Sequence, residues 1–438
     1  MGKQGKERKR RRLLQPIEDD VVKENVEYDG MITASDMAIT LRTLKALEYQ
    51  PEQLHKKEFK QLKAEVHTLY THITAKTGQG TTLSGRISDA LTDGRWADAL
   101  GALTEMRARG QVPKLGALQR WVRDCDAASA RDGTFGNPQV LRVLDSILRT
   151  ADPALVPTNN DEHPVRQHEA WSAIERTSSR EEIYASALAG TLFDEAQAEK
   201  YRRSFRIVAH EKGSERRTPN QHDFTLYYSQ PGTIITLNGA EQPVVGRVDV
   251  PNVPGAFVLT NVLTPDICKQ ILSAAESIGF TPDAPIVGAA KFLNYIFNRC
   301  QPHLPQEIQG GAVTGLNARW RVYRYVPGAI YRPHIDGAWP GSGLDPKTGA
   351  YLYDAYDGKQ WSRLTFLIYL NDEFDGGATT FFMPAAQEGT LDARPVSPRQ
   401  GSVLCFPHGN TKGSLLHEGS PVTRGAKYVI RTDVLYMV

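Results

Sequence analysis

The sequence predicts an α+β chain, with a mainly helical N-terminal region and a β-rich, jelly-roll-like C-terminal domain. Residues 32–211 carry helix start and stop signals. From about residue 250, short β-branched and aromatic runs alternate with Gly, Pro and Asp turns, with few helices between them. At 438 residues the chain exceeds one ordinary domain, so two or three are expected.

Taken in order, residues 1–31 read as a basic disordered tail. The run Lys6-Glu7-Arg8-Lys9-Arg10-Arg11-Arg12 suits nuclear import or attraction to nucleic acid, with a merely solvated tail as the plainer alternative. Ser35-Asp36 is expected to cap a first helix and Pro51 to open a second. Asp93-Gly94 separates two more, and Gly110 with Pro113 closes the one beginning near Trp96. The pattern from Ile87 to Gly110 looks like one pentatricopeptide unit without a second copy at a fixed period. A small helical bundle is therefore expected in place of an RNA-reading array.

Residues 131–137 and 151–168 read as linkers. Residues 212–249 read as a charged linker followed by a β-hairpin built from 224–228 and 233–237. Residues 256–259 form a strand, after which Thr264-Pro265-Asp266 caps a helix carrying Ile267, Ile271 and Leu272. The long connection 337–360 holds Trp339, Tyr351, Tyr353 and Tyr356 among Gly, Asp and Pro, so it is a candidate lid, with a rigid surface flap as the alternative.

Composition bounds the partners. Residues 1–12 contain seven Lys/Arg and one Glu, a net of +6, while the whole chain is +2, which leaves the body at about −4. Such a body lacks the broad positive field that phosphate contacts need, and this disfavours a nucleic-acid substrate. No apolar run reaches the ~18–20 residues of a membrane span. Cys125, Cys268, Cys300 and Cys405 are widely spaced with no CxxC, which points to a reducing compartment and away from a disulfide framework. With no apolar segment of secretory type at the N-terminus, a cytoplasmic or nuclear location is expected.

The chemistry-bearing residues lie near the C-terminal end. In an extended segment the side chains of His334 and Asp336 point to one side while Ile335 packs behind, and His417 follows 81 residues after Asp336. Two histidines and one carboxylate on one face of a metal suit a non-haem Fe(II) oxygenase, whose remaining positions take co-substrate and O₂. A zinc hydrolase competes for the same ligands but leaves Lys427 unexplained. Lys427 opens a β-branched and aromatic run, so its ammonium enters a sheet core, where a carboxylate such as the distal one of 2-oxoglutarate would offset the cost of burial. A lysine snorkelling at a sheet edge is the alternative.

Tyr325-x-x-Gly328-x-x-Tyr331-x-x-His334-x-Asp336, then Gly376-Gly377-x-Thr379-x-Phe381, then His417-Glu418-Gly419-Ser420-Pro421 and Lys427, follow one another in order. Over about residues 250–438 this resembles the prolyl 4-hydroxylase-like Fe(II)/2-oxoglutarate dioxygenases. The resemblance implies a double-stranded β-helix. It also implies Fe(2+) held by His334, Asp336 and His417, and 2-oxoglutarate anchored by Lys427 with Tyr325, Tyr369 and Thr379 around it. Arg431 lies four residues on, on the same face, as a second cation for the co-substrate or as a partner of Asp433 or another carboxylate. Ser420 stands where relatives often carry cysteine. The implied activity is hydroxylation of a protein or peptide at a prolyl residue with O₂, releasing succinate and CO₂ with ascorbate in support. The same chemistry on a nucleic acid or small metabolite, and a silent binding module, are the competing expectations.

Overall fold

The structure, a computed structural model, describes residues 33–49, 59, 61–66, 69, 82–125, 136–155, 159–160, 165–176, 185–186, 188–189, 195–215, 222–229, 234–237, 242–280, 285–287 and 290–438. The basic cluster, Pro51 and most of the 131–137 linker fall outside them. The chain divides into two compact units, Met1–Gly80 and Thr81–Val438. In the first, helix α1 (Ala34–Tyr49) begins one residue earlier than its expected cap. Thr33 is the cap residue, with the Asp36 amide donating to Thr33 Oγ1 at 3.1 Å and the Thr33 amide to Asp36 Oδ2 at 2.9 Å. A carboxylate at the third helical position can reach back only to the residue before the helix, which makes Asp36 half of a capping box.

The second unit opens with a four-helix bundle: α2 (Leu83–Thr92), α3 (Trp96–Ala108), α4 (Leu115–Cys125) and α5 (Pro138–Ala151). Thr82 caps α2, accepting from the Gly85 amide at 3.2 Å, and Asn137 caps α5, accepting from the Gln139 amide at 2.9 Å ahead of Pro138. Gly94 and Gly110 take the positive φ values, 66° and 62°, that end α2 and α3. Ile87, Leu103, Trp121, Leu144 and Ile147 fill the interior, and Trp121 Nε1 donates to Ser88 Oγ at 2.9 Å.

Two sheets face each other beyond the bundle. In the larger, Lys427–Met437 is the central strand, paired with Arg319–Tyr325 on one side and Gln360–Tyr369 on the other. Past Gln360–Tyr369 come Val403–Pro407, Phe257–Thr260 and Gly246–Asp249; past Arg319–Tyr325 come Pro285–Val287, Phe224–Ser229 and Phe205–Glu211. The smaller sheet runs Tyr331–His334, His417–Gly419, Thr379–Pro384, Leu391–Val396, Val165–Gln167. Val258, Tyr369, Phe381, Val396, Phe406 and Val429 form the core between the sheets. The outer face of the larger sheet is covered by the helix Pro265–Ile278, capped by Thr264 as expected, and by Ala290–Cys300. This is a jelly roll of two facing sheets.

Three expectations need correction. Residues 205–211 are a strand where helix was expected, because Ile207-Val208 are β-branched and the segment pairs antiparallel with Phe224–Ser229. Phe224–Ser229 therefore takes Phe205–Glu211 as its hairpin partner, and 234–237 forms no strand. Nor is 151–168 a simple linker: Val165–Gln167 adds a parallel edge strand to Leu391–Val396, and His168 Nε2 lies 2.9 Å from Asp392 Oδ1. Three residues are too few to show a period of two, so the open sheet edge recruits the strand through backbone bonds. The 337–360 connection folds as a flap on a short hairpin, Gly343–Leu344 with Tyr351–Leu352, and Gly341 N donates to Gln360 O at 2.9 Å.

The bundle and the small sheet share one core. Ile335, Phe382, Leu391, Ala393 and Leu416 turn outward into the helices. Arg149 of α5 adds a buried clamp. It pairs with Asp145 at 2.9 Å and donates to the Ala385 and Gln387 carbonyls at 2.6 and 2.8 Å, while Asp145 accepts from Gly389 N at 2.8 Å. These bonds hold the turn joining two small-sheet strands, and they satisfy most of what the buried pair gives up in leaving water. Among the described residues no helix is long and apolar enough to cross a membrane. All four cysteines are free and buried.

Candidate metal and co-substrate site

His334 and His417 are direct cross-strand partners in the small sheet, with ring centroids 4.3 Å apart. Alternation along each strand turns both rings into the space between the sheets while the intervening Ile335 and the preceding Leu416 enter the bundle core. Asp336 follows two residues after His334. Its Oδ1 is 3.4 Å from His334 Nε2 and its Oδ2 is 3.7 Å from His417 Nε2. One donor atom from each of the three residues lies within 4.8 Å of the others. His334 Nδ1 faces the Arg332 carbonyl at 2.7 Å and His417 Nδ1 the Leu415 carbonyl at 3.1 Å, so each Nδ1 carries a proton and each Nε2 is the ring nitrogen turned to the cluster. Burial and the neighbouring His334 push the His417 pKa down to about 3 against the attraction of Asp336, so the ring is neutral near pH 7.

Asp336 is 7% exposed. Burial alone would raise its pKa, but the Arg431 charge, with the two histidines, holds it well below the usual carboxylate range. Arg431 Nη2 is 3.0 Å from Asp336 Oδ1 and 3.5 Å from Asp433 Oδ1. Thr365 Oγ1 donates to Asp336 Oδ2 at 2.7 Å.

Lys427, on the central strand of the larger sheet four residues before Arg431, lines the same cavity. It is 4% exposed, and its ammonium donates to the Gly377 carbonyl at 2.7 Å. The Nζ lies 5.5 and 5.6 Å from the ring centroids of Tyr325 and Tyr369. Among the described residues no carboxylate pairs with it, and burial pushes its pKa down to about 7. Tyr369 and Thr379 share a hydroxyl hydrogen bond of 2.9 Å. Gly376 and Gly377, at φ 72° and 64°, let this loop pass close to its neighbours: a Cβ on Gly376 would sit 2.3 Å from the Pro421 carbonyl oxygen.

Residues 320–432 match a family model described as the 2OG-Fe(II) oxygenase superfamily. This stretch is a 2OG-Fe(II) oxygenase region. The chain is also similar to solved structures. One is the viral collagen prolyl hydroxylase vCPH from Paramecium Bursaria Chlorella virus-1, in its 2OG complex, at 18% identity over 46% of this chain and 99% of that one, with a TM-score of 0.27. Another is a Pseudomonas putida prolyl-4-hydroxylase, at 16% identity over 45% and 96%, also with a TM-score of 0.27. A 2OG-Fe(II) oxygenase family oxidoreductase from Burkholderia pseudomallei matches at 13% identity over 44% and 73%, with a TM-score of 0.19. None of the curated proteins compared matches the chain. The match supports the dioxygenase class for residues 320–432, and the superfamily implies Fe(2+), 2-oxoglutarate and O₂.

The side chains fit those groups. Two imidazoles and a charged carboxylate form a mixed nitrogen and oxygen donor set suited to Fe(II), and an unpaired buried ammonium suits an anion. The oxygenase region brings His334, Asp336, His417, Lys427, Tyr325, Thr379 and Arg431 around one cavity, with Tyr369 behind Thr379. Tyr323 and Tyr331 line it too. Tyr331 was visible in the motif, and Tyr323 could have been found by counting two residues back along the strand from Tyr325. Thr365 and His408, behind Asp336, were missed because no spacing rule reaches them. Ser420 bonds Thr380 Oγ1 at 2.6 Å and Glu418 at 2.8 Å on the sheet's outer side.

The bundle supports the ligand strands from behind, where Gln119 Nε2 also donates to the Ile335 carbonyl at 3.2 Å. Ile335→Ala should therefore cost roughly 2–4 kcal/mol of stability and weaken metal binding in the protein that remains folded. Thermal melts with Co(II) titration check this; an unchanged melting temperature would mean the bundle does not brace this segment.

Proposed function

We propose that this chain is an Fe(II)- and 2-oxoglutarate-dependent dioxygenase acting on a protein or peptide, at a prolyl residue. The observation that carries the reading is the His334, Asp336 and His417 cluster sharing one cavity with an unpaired buried ammonium, Lys427. His334, Asp336 and His417 hold the metal. Lys427 receives the distal carboxylate of 2-oxoglutarate, with Tyr325 beside it and the Tyr369–Thr379 pair as wall. Arg431 is engaged with Asp336 and Asp433, so it fixes the carboxylate ligand and leaves the co-substrate to Lys427.

With Fe(II) bound, 2-oxoglutarate and O₂ yield succinate, CO₂ and one oxygen atom placed in a substrate C–H bond. The chain's own residues bind, orient and exclude water. Tyr323 and the half-exposed Tyr331 offer aromatic faces at the cavity, which suit a pyrrolidine ring. Ascorbate joins this reading as the reductant the family uses.

The test supplies purified protein with Fe(II), 2-oxoglutarate, ascorbate and proline-containing peptides. Succinate formation should rise with peptide, and a peptide should gain one oxygen atom on proline by mass spectrometry. A rise driven by an oligonucleotide or a small metabolite, with no peptide oxidised, would replace the substrate reading.

A further inference from the structure

A line of four hydrogen bonds runs from the flap to Asp336. The Trp339 amide lies 2.8 Å from Ser362 Oγ, Ser362 Oγ lies 2.8 Å from His408 Nε2, His408 Nδ1 lies 2.7 Å from Thr365 Oγ1, and Thr365 Oγ1 lies 2.7 Å from Asp336 Oδ2. Ser362, His408 and Thr365 are fully buried, so each bond is made without competition from water.

The direction of the line is fixed at both ends. A carboxylate only accepts, so Thr365 donates its one proton to Asp336 and must accept from His408 Nδ1–H. A neutral imidazole then has only its Nε2 lone pair left, which accepts from the Ser362 hydroxyl, and that oxygen accepts the Trp339 amide. Burial keeps His408 on the neutral side. No member can be reversed alone. The flap end is equally held: Ser362 N donates back to Trp339 O at 2.9 Å, and the indole lies 4.4 Å from the Arg319 guanidinium and 6.4 Å from Tyr353 within the flap.

We propose that Ser362, His408 and Thr365 are positioning residues that fix Asp336 Oδ2 and thereby couple the 337–360 flap to the metal site. The proposal rests on the reading of Asp336 as a metal ligand and adds what orients it. A carboxylate pinned on one oxygen by Thr365 presents itself in one rotation, which is the role that partners behind a metal ligand play. Coupling is reciprocal: whatever settles the flap tightens metal binding, and metal binding settles the flap by the same factor.

Co(II) serves as the probe, with affinity read by titration and flap order by hydrogen exchange of the 339–360 amides in the full chain. Thr365→Val should weaken Co(II) binding by about 10–100-fold at an unchanged circular-dichroism spectrum, and Thr365→Ser should restore it. In the wild type, Co(II) should slow flap exchange, and Ser362→Ala, which leaves the Thr365 bond to Asp336 in place, should remove that slowing. Wild-type Co(II) affinity in Thr365→Val, or flap protection undiminished in Ser362→Ala, would overturn the proposal. Wild-type affinity in Asp336→Ala would instead remove the ligand reading beneath it.

Discussion

Asp336→Ala is expected to reduce succinate formation to background and to lower the melting temperature in the same protein. Two separate losses produce this. The metal loses its one anionic ligand, leaving two imidazoles whose hold on a divalent ion lacks charge compensation. Arg431 loses the nearer of its two carboxylates, with only Asp433 at 3.5 Å left to face a guanidinium that is 14% exposed. Breaking a buried pair from one side costs about 3–5 kcal/mol, and the surviving Asp433 contact puts this case at the lower end. Asp336→Asn separates the two, because it keeps the volume and an acceptor for Thr365 while removing the charge. It should fold better than Asp336→Ala and still fail to turn over. Succinate formation by Asp336→Ala at the wild-type rate would sink the assignment of this carboxylate to the metal.

The parts of the fold that were legible in the sequence are those where local chemistry and tertiary context agree. Asp93-Gly94 and Gly110 punctuate α2 and α3 because only a left-handed residue ends those helices there. Thr264 caps its helix because its extended backbone lets the side chain accept the Ile267 amide at 3.3 Å just ahead of Pro265. Residues 165–167 and 205–211 were illegible for the opposite reason. Their pairing is set by the free edges of sheets whose other strands lie far along the chain, so no window around them contains the cause. The bundle was legible as a bundle, but its seat on the small sheet was not. Ile335 was expected to pack behind the site, and only the fold shows that it does so, together with Leu416, in the helical core.

Within the site, His417, Tyr325, Tyr369 and Thr379 were read from the ordered motifs of the resemblance, and a period of two reached two further residues. His334 leads to Asp336, and Lys427 leads to Arg431 four positions on. The preference for Lys427 over Arg431 as anchor could not be derived from that period, since both share a face. What supports the proposed anchor is that Arg431 is engaged with Asp336 and Asp433, while among the described residues Lys427 meets the Gly377 carbonyl and two aromatic faces. Thr365, Ser362 and His408 were beyond reach because they act through Asp336 from two other strands, a relation that exists only in three dimensions.

That unpaired ammonium gives the second large effect. Lys427→Met should raise the 2-oxoglutarate concentration needed for half-maximal turnover by about 30-fold or more, the equivalent of the ~2 kcal/mol or more that follows from truncating one side of a buried charge pair. It should also change how both stability and affinity depend on pH. The Lys427 pKa is about 7 in the folded chain, against 10.5 for an exposed lysine, and burial is the cause. Between these values the unfolded chain holds a proton that the folded chain has released, so stability rises with pH across that window; below pH 7 both states are protonated and the burial penalty is constant. Binding an anion requires the charged form, so above about pH 7 co-substrate binding takes up a proton and its dissociation constant climbs by up to tenfold per pH unit. Lys427→Met has no proton to lose, so both slopes should vanish, and its metal-free form should be more stable than wild type near pH 6. Calorimetric titration of 2-oxoglutarate at pH 6.5, 7.5 and 8.5 with wild type and variant decides it. An identical pH slope in the two proteins, or unaltered affinity in the variant, would transfer the anchoring role away from Lys427.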